Sequence, residues 1–87
     1  MNIREKFELS NGITILACSG YDPSFDVIGK RFRLAHGAEI RQTLTISGER
    51  KLLNHKSNFD QRAFETNDVV SLSQKEAQSG EWQLIDA

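Results

Sequence analysis

Eighty-seven residues with a formal net charge of −1, 38% of them apolar and 26% charged, suffice for one small domain and exclude a catalytic domain beside a binding domain. No run approaches the roughly 20 apolar residues that span a bilayer, and the opening MNIREKFELS lacks the apolar centre of a secretory signal, so membrane insertion and export by that route are not expected. The single cysteine, Cys18, excludes an intramolecular disulfide and fits a reducing, cytoplasmic setting.

Along the chain, short runs alternate between apolar and polar residues, and Gly, Asn, Asp and Ser punctuate them closely, which is a strand signal. Strands are predicted over 6–9, 13–19, 30–34, 39–47, 68–72 and 81–85, with a further short one over 50–53. Helix is confined to SQKEAQS, residues 73–79, where Ser73 as N-cap and Glu76 three residues on have capping-box spacing. Closely spaced short strands favour an all-β fold, a small closed or partly open antiparallel β-barrel of about six strands, because closure hides the edges of a small sheet. The core is expected to hold Phe32, Leu34, Leu44, Ile46, Val70, Leu72, Trp82 and Leu84, and Cys18 should be buried and unreactive.

The segment KRFRLAHGAEIRQTLTIS carries the sharpest local expectation. Phe32 and Leu34 share one face, and Ile40, Leu44 and Ile46 another, so the core-facing positions all have even numbers. A hairpin that keeps them together is centred on Gly37, with HGA as a three-residue loop. Ala35 then lies opposite Glu39, Leu34 opposite Ile40, and Arg33 opposite Arg41. Like charges directly opposed destabilise a sheet, so Arg31, Arg33 and Arg41 form either an anion-binding patch suited to phosphate or carboxylate or a solvated face with glutamates nearby. In the first case, replacing Arg33 or Arg41 by Gln would leave stability unchanged or slightly raised.

Charge is unevenly distributed. Residues 30–62 hold eight basic residues against three acidic ones, a balance of +5, while 1–29 carry −2 and 63–87 carry −4. A basic middle marks a surface for nucleic acid or an acidic partner, or else lies beside the acidic ends and is neutralised by them. GERKLLNHKSNFDQRAFETND, residues 48–68, is long for a connection without secondary structure. Its Arg50, Lys51, Lys56 and Arg62 alternate with Phe59 and Phe64, a composition that binds single-stranded nucleic acid through phosphate contacts and stacking. The same aromatics equally serve as anchors on the core. GYDPSFD, residues 20–26, is a tight turn or an exposed interaction tip.

Catalytic patterns are missing from the sequence. Cys18 lies within the apolar run ITILACS with no base beside it. His36 and His55 lack neighbours at metal-ligand spacing, and the glycines of GYDPSFDVIGK are too far apart for a phosphate-binding loop. No cofactor, metal or enzymatic activity is expected.

The order GKRFRL, AEIRQTLTIS, NDVVSLSQ, EAQSGEWQLI resembles the second, β-barrel domain of translational GTPases such as elongation factor Tu. Gly29, Asn67, Asp68, Val70, Leu72, Glu76, Gly80 and Leu84 occupy comparable places. The resemblance covers residues 28–85 and implies a six-stranded barrel used as a docking surface for RNA or protein, without nucleotide hydrolysis. Two functions follow as expectations. One is a non-enzymatic module that engages RNA or an acidic protein surface through Arg31, Arg33, Arg41, Arg50, Lys51, Lys56 and Arg62. The other is a stand-alone interaction or inhibitor protein, of the kind phage-encoded chains often are, acting through loops 20–26 and 48–68.

Overall fold

The computed structural model describes residues 1–20, 26–50 and 62–87. Among them the apolar run TILACS becomes β2 (Thr14–Ser19), with all six residues buried. The alternating segments become β1 (Asn2–Glu8), β3 (Arg31–His36), β4 (Glu39–Thr45), β5 (Gly48–Arg50), β6 (Arg62–Thr66) and β7 (Gln83–Asp86), with α1 (Gln74–Gln78) before the last strand. All pairings are antiparallel, in one sheet of order β4-β3-β7-β1-β2-β6-β5.

The sheet is not closed into a ladder, since β4 and β5 end it on opposite sides. Yet the chain passes from β4 to β5 through Ile46 and Ser47 alone, so the two ends must curve toward one corner. Backbone bonds mark that corner: the Ile46 N–H donates to Lys30 O at 3.0 Å and the Ser47 N–H to Glu65 O at 2.7 Å. Buried Thr66 adds a side-chain bond from Oγ1 to Thr45 O at 2.7 Å, and the Thr45 N–H donates to Asp68 Oδ2 at 2.7 Å.

Inside the curve lie Ile3, Leu16, Cys18, Phe32, Leu34, Leu44, Ile46 and Phe64, with Val70, Leu72, Ala77, Trp82 and Leu84 covering them. Each such large side chain contributes about 1.5–3 kcal/mol by leaving water. All eight core positions expected from the sequence are buried. Cys18 is buried too, and burial pushes its thiol up to about 12. Its labelling by a thiol reagent should therefore be very slow in the native protein and prompt in denaturant; prompt native labelling would contradict the placement.

Several sequence expectations are corrected. The run 6–9 begins earlier, as β1 from Asn2. Of 50–53, Arg50 closes β5 and the rest lies outside the described residues, as does all of 21–25 in the loop expected at 20–26. The connection expected over 48–68 contains two paired strands, β5 and β6, and Phe64 is a core anchor. Phe59 lies outside the described residues. The hairpin loop has two residues, Gly37 and Ala38, between paired His36 and Glu39. Gly37 has φ +60° and among the described residues no non-glycine, Ala38 included, has positive φ, which is the φ pattern of a type II′ turn.

That turn shifts the register by one residue, and a β-bulge shifts it by one more. Ala35 pairs with Ile40 and Leu34 with Gln42, leaving Arg41 as the extra residue. Arg33 therefore faces Thr43, not Arg41, and Ile40 is 49% exposed instead of core-facing.

The expected strand over 68–72 is extended chain whose backbone groups pair with side chains. Gln42 Nε2 donates to Val69 O at 2.9 Å, and Gln42 Oε1 accepts from the Ser71 N–H at 2.5 Å. One primary amide thus brackets Val70 as a neighbouring strand would. Lys6 Nζ donates to Leu72 O and, at 3.4 Å, to Val70 O, and Arg41 Nη1 donates to Ser71 O at 2.9 Å. Leu72 then enters the helix through a complete capping box: the Glu76 N–H donates to Ser73 Oγ and the Ser73 N–H to Glu76 Oε1, both at 3.0 Å.

Candidate partner-binding surface

Strand alternation places Arg31 and Arg33 on the outer side of β3, opposite buried Phe32 and Leu34. Thr45 of β4 pairs with Arg31. Thr43 of β4 and Ile85 of β7 flank Arg33. The next row is apolar at its centre, where Ala35 lies between Ile40 and Gln83. Ile40 is 49% and Ile85 41% exposed. None of these outward positions is acidic, and among the described residues no carboxylate lies within ion-pair distance of Arg31 or Arg33. At the margin, Asp68 directs its carboxylate to the Thr45 N–H.

The other basic residues are held elsewhere. Arg50 Nε lies 2.6 Å from Glu65 Oε2, across the β5–β6 pair. Arg62 forms a two-pronged pair with Glu49, Nε to Oε2 and Nη2 to Oε1 at 2.7 Å each, and its guanidinium lies 5.1 Å from the Phe64 ring centroid. Lys51 and Lys56 lie outside the described residues. The structure thus brings Arg31 and Arg33 together and places Arg41, Arg50 and Arg62 in glutamate pairs away from them. Ile40, Thr43, Thr45 and Ile85 complete the face. The even-numbered core pattern already implies that Thr43 and Thr45 face outward, but the sequence contains no signal for Ile40, which the turn and bulge bring to that side.

Arg41 is a clasp. As the bulged residue it reaches the helix, where Nη1 lies 3.0 Å from both Glu76 carboxylate oxygens, while its guanidinium sits 4.1 Å from the Trp82 ring centroid. His36 meets the same indole at 5.1 Å and lies 3.2 Å from Glu81. Together these residues line a groove of about 380 Å³. Trp82 is only 4% exposed, so its ring is not free to stack on a ligand. Among the described residues no group of three His, Cys, Asp or Glu is placed to hold a metal ion.

The Arg41 bond, aided by the Ser73 N–H, holds the Glu76 carboxyl below its ordinary 4.5. A lowered folded-state value contributes stability above the unfolded value, and that contribution disappears as pH falls through the folded one. Arg41→Gln should therefore lower stability by about 1 kcal/mol near neutral pH through loss of the indole contact and the Ser71 carbonyl bond. It should also flatten the acid limb of the stability profile. Melts of wild type and variant across pH test both effects, and an unchanged melting temperature would show that the clasp does not hold the helix. The Arg33–Arg41 opposition behind the expectation of unchanged or raised stability is corrected here: Arg33 faces Thr43, and Arg41 pairs with Glu76 instead.

No family model, curated protein or solved structure matches the chain. Among the described residues, no helix is long and apolar enough to cross a membrane.

Proposed function

We propose that this protein is a non-enzymatic binding module that docks on an acidic protein surface through the outer face of β3, β4 and β7. The observation that carries this reading is the contrast between arginines. Arg41, Arg50 and Arg62 each pair with a glutamate, whereas among the described residues no carboxylate lies within ion-pair distance of Arg31 or Arg33, which stand beside exposed Ile40 and Ile85. Arginine amid exposed aliphatic side chains suits a protein partner, since its planar guanidinium binds carboxylates and its stem packs on apolar surface.

RNA is the less favoured partner. Sequence-tolerant binding of single strands needs aromatic platforms and net phosphate neutralisation. Phe7, 48% exposed on β1, is the exposed aromatic among the described residues and lies off this face, and the net charge is −1. In this reading the curved sheet serves as a barrel-like scaffold in a cytoplasmic setting, the docking role that the resemblance to translational GTPases implies.

Affinity capture from native-host extract tests the proposal, with wild type, R31E/R33E and the off-face control Lys75→Glu, each with and without nuclease. Acidic proteins retained by wild type and control, lost with R31E/R33E and unaffected by nuclease are the expected result. Retention unchanged by R31E/R33E overturns it, and nuclease-sensitive capture replaces the protein partner with nucleic acid.

A further inference from the structure

Resting on that reading, we infer that this face takes an extended acidic segment with carboxylates two residues apart, followed two residues later by an aliphatic side chain. Arg31 and Arg33 are separated by one inward residue on a regular stretch of β3, so their Cα atoms lie roughly 6.5–7 Å apart along the strand. An extended ligand repeats its same-side carboxylates at that interval. A helix places its same-side residues at about 5–6 Å on a curved surface, a poorer match to a flat row.

Each arginine also has a hydroxyl beside it. Thr45 is the direct cross-strand partner of Arg31 and Thr43 of Arg33, and such partners have Cβ atoms about 4.5–5.5 Å apart. A carboxylate over either row can accept guanidinium N–H bonds and a threonine O–H bond together. Beyond Arg33 the chemistry changes, since the next row carries no charge: exposed Ile40 stands beside buried Ala35, with Gln83 on the other side and Ile85 flanking Arg33 itself. The third same-side residue of the ligand therefore meets aliphatic surface, where a carboxylate would lose water without gaining a cation. The pattern that fits is acidic-x-acidic-x-aliphatic.

The test uses the full chain and two short labelled peptides of identical composition. One carries Glu-Ser-Glu-Ser-Leu, and the other permutes these residues so that the glutamates are adjacent. A labelled oligouridine is the third probe, and fluorescence anisotropy is read at low and high salt. The alternating peptide should bind about tenfold more tightly than the permuted one, and Arg33→Gln should remove most of that preference. Thr43→Val, which preserves shape and strand preference, should reduce it in part and serves as a second probe should Arg33→Gln perturb folding. Equal binding of both peptides overturns the spacing inference while leaving an acidic partner in place. Failure of both peptides to bind at low salt also overturns it, with the capture experiment then deciding the broader reading separately. Oligouridine binding that exceeds both peptides, falls steeply with salt and is lost in R31E/R33E overturns the acidic-segment proposal in favour of RNA.

Discussion

Phe64→Ala should lower stability by about 3–5 kcal/mol, the range for removing a fully enclosed aromatic ring. Phe64 is completely buried on β6, paired with Leu16 on one side and Glu49 on the other. The loss combines transfer of the ring from the core with the void left inside the curve of the sheet, since backbone pairing to β2 and β5 limits how far β6 can collapse into it. Domains of this size are stable by only about 5–15 kcal/mol, so the variant should unfold at much lower urea or be partly unfolded without it. Trp82, 4% exposed, supplies a fluorescence signal for that titration. Phe7→Ala, on a residue that is 48% exposed, should cost under about 1 kcal/mol. A Phe64→Ala loss as small as that would take the ring out of the core and return it to the surface role that its basic neighbours suggest in the sequence.

Lys6→Met should cost about 2–4 kcal/mol, although methionine retains much of the stem's volume. Lys6 is 8% exposed, and its ammonium donates to Leu72 O and Val70 O and lies 2.7 Å from Glu8 Oε1. Glu8 is exposed at 69% of its side chain and can turn to water. The carbonyls of buried Val70 and Leu72 have no comparable recourse, so the cost resides there. Because Val69, Val70, Ser71 and Leu72 all direct carbonyls to side chains, removing one clamp should loosen the whole segment and the helix after it. Faster amide exchange at Ala77, whose N–H donates to Ser73 O, is the local signature. An unchanged urea midpoint and unchanged exchange at Ala77 would show that the lysine does not hold the strap.

Much of the secondary structure was legible in the sequence because its determinants are local. Strict alternation in RFRL exposes 31 and 33 and buries 32 and 34, an unbroken apolar run makes β2 the fully buried strand, and S-x-x-E closes its own capping box. Gly80, with φ +79°, permits the turn that sends Trp82 and Leu84 inward. Each of these depends on residues within a few positions of one another, and a period of two or a three-residue spacing records it.

Tertiary structure decided the rest, including the composition of the proposed docking face. VVSL alternates as a strand does, yet its backbone partners are the side chains of Lys6, Arg41 and Gln42, which lie 27 to 66 residues away. RAFET becomes a strand through pairing with β2 and β5. Even numbering predicts that Ile40 is buried and Arg41 opposes Arg33. The two-residue turn and the bulge reverse both, and Arg41 instead engages Glu76, Ser71 and Trp82, at least 30 residues on. The sequence by itself determined which way Arg31 and Arg33 point relative to Phe32 and Leu34. Only the folded chain determined that Thr43, Thr45, Ile40 and Ile85 surround them and that glutamates hold the other described arginines of the predicted set. The physical reason is that side-chain direction follows from local backbone geometry, whereas a charge's partner depends on which distant segments the core brings alongside it.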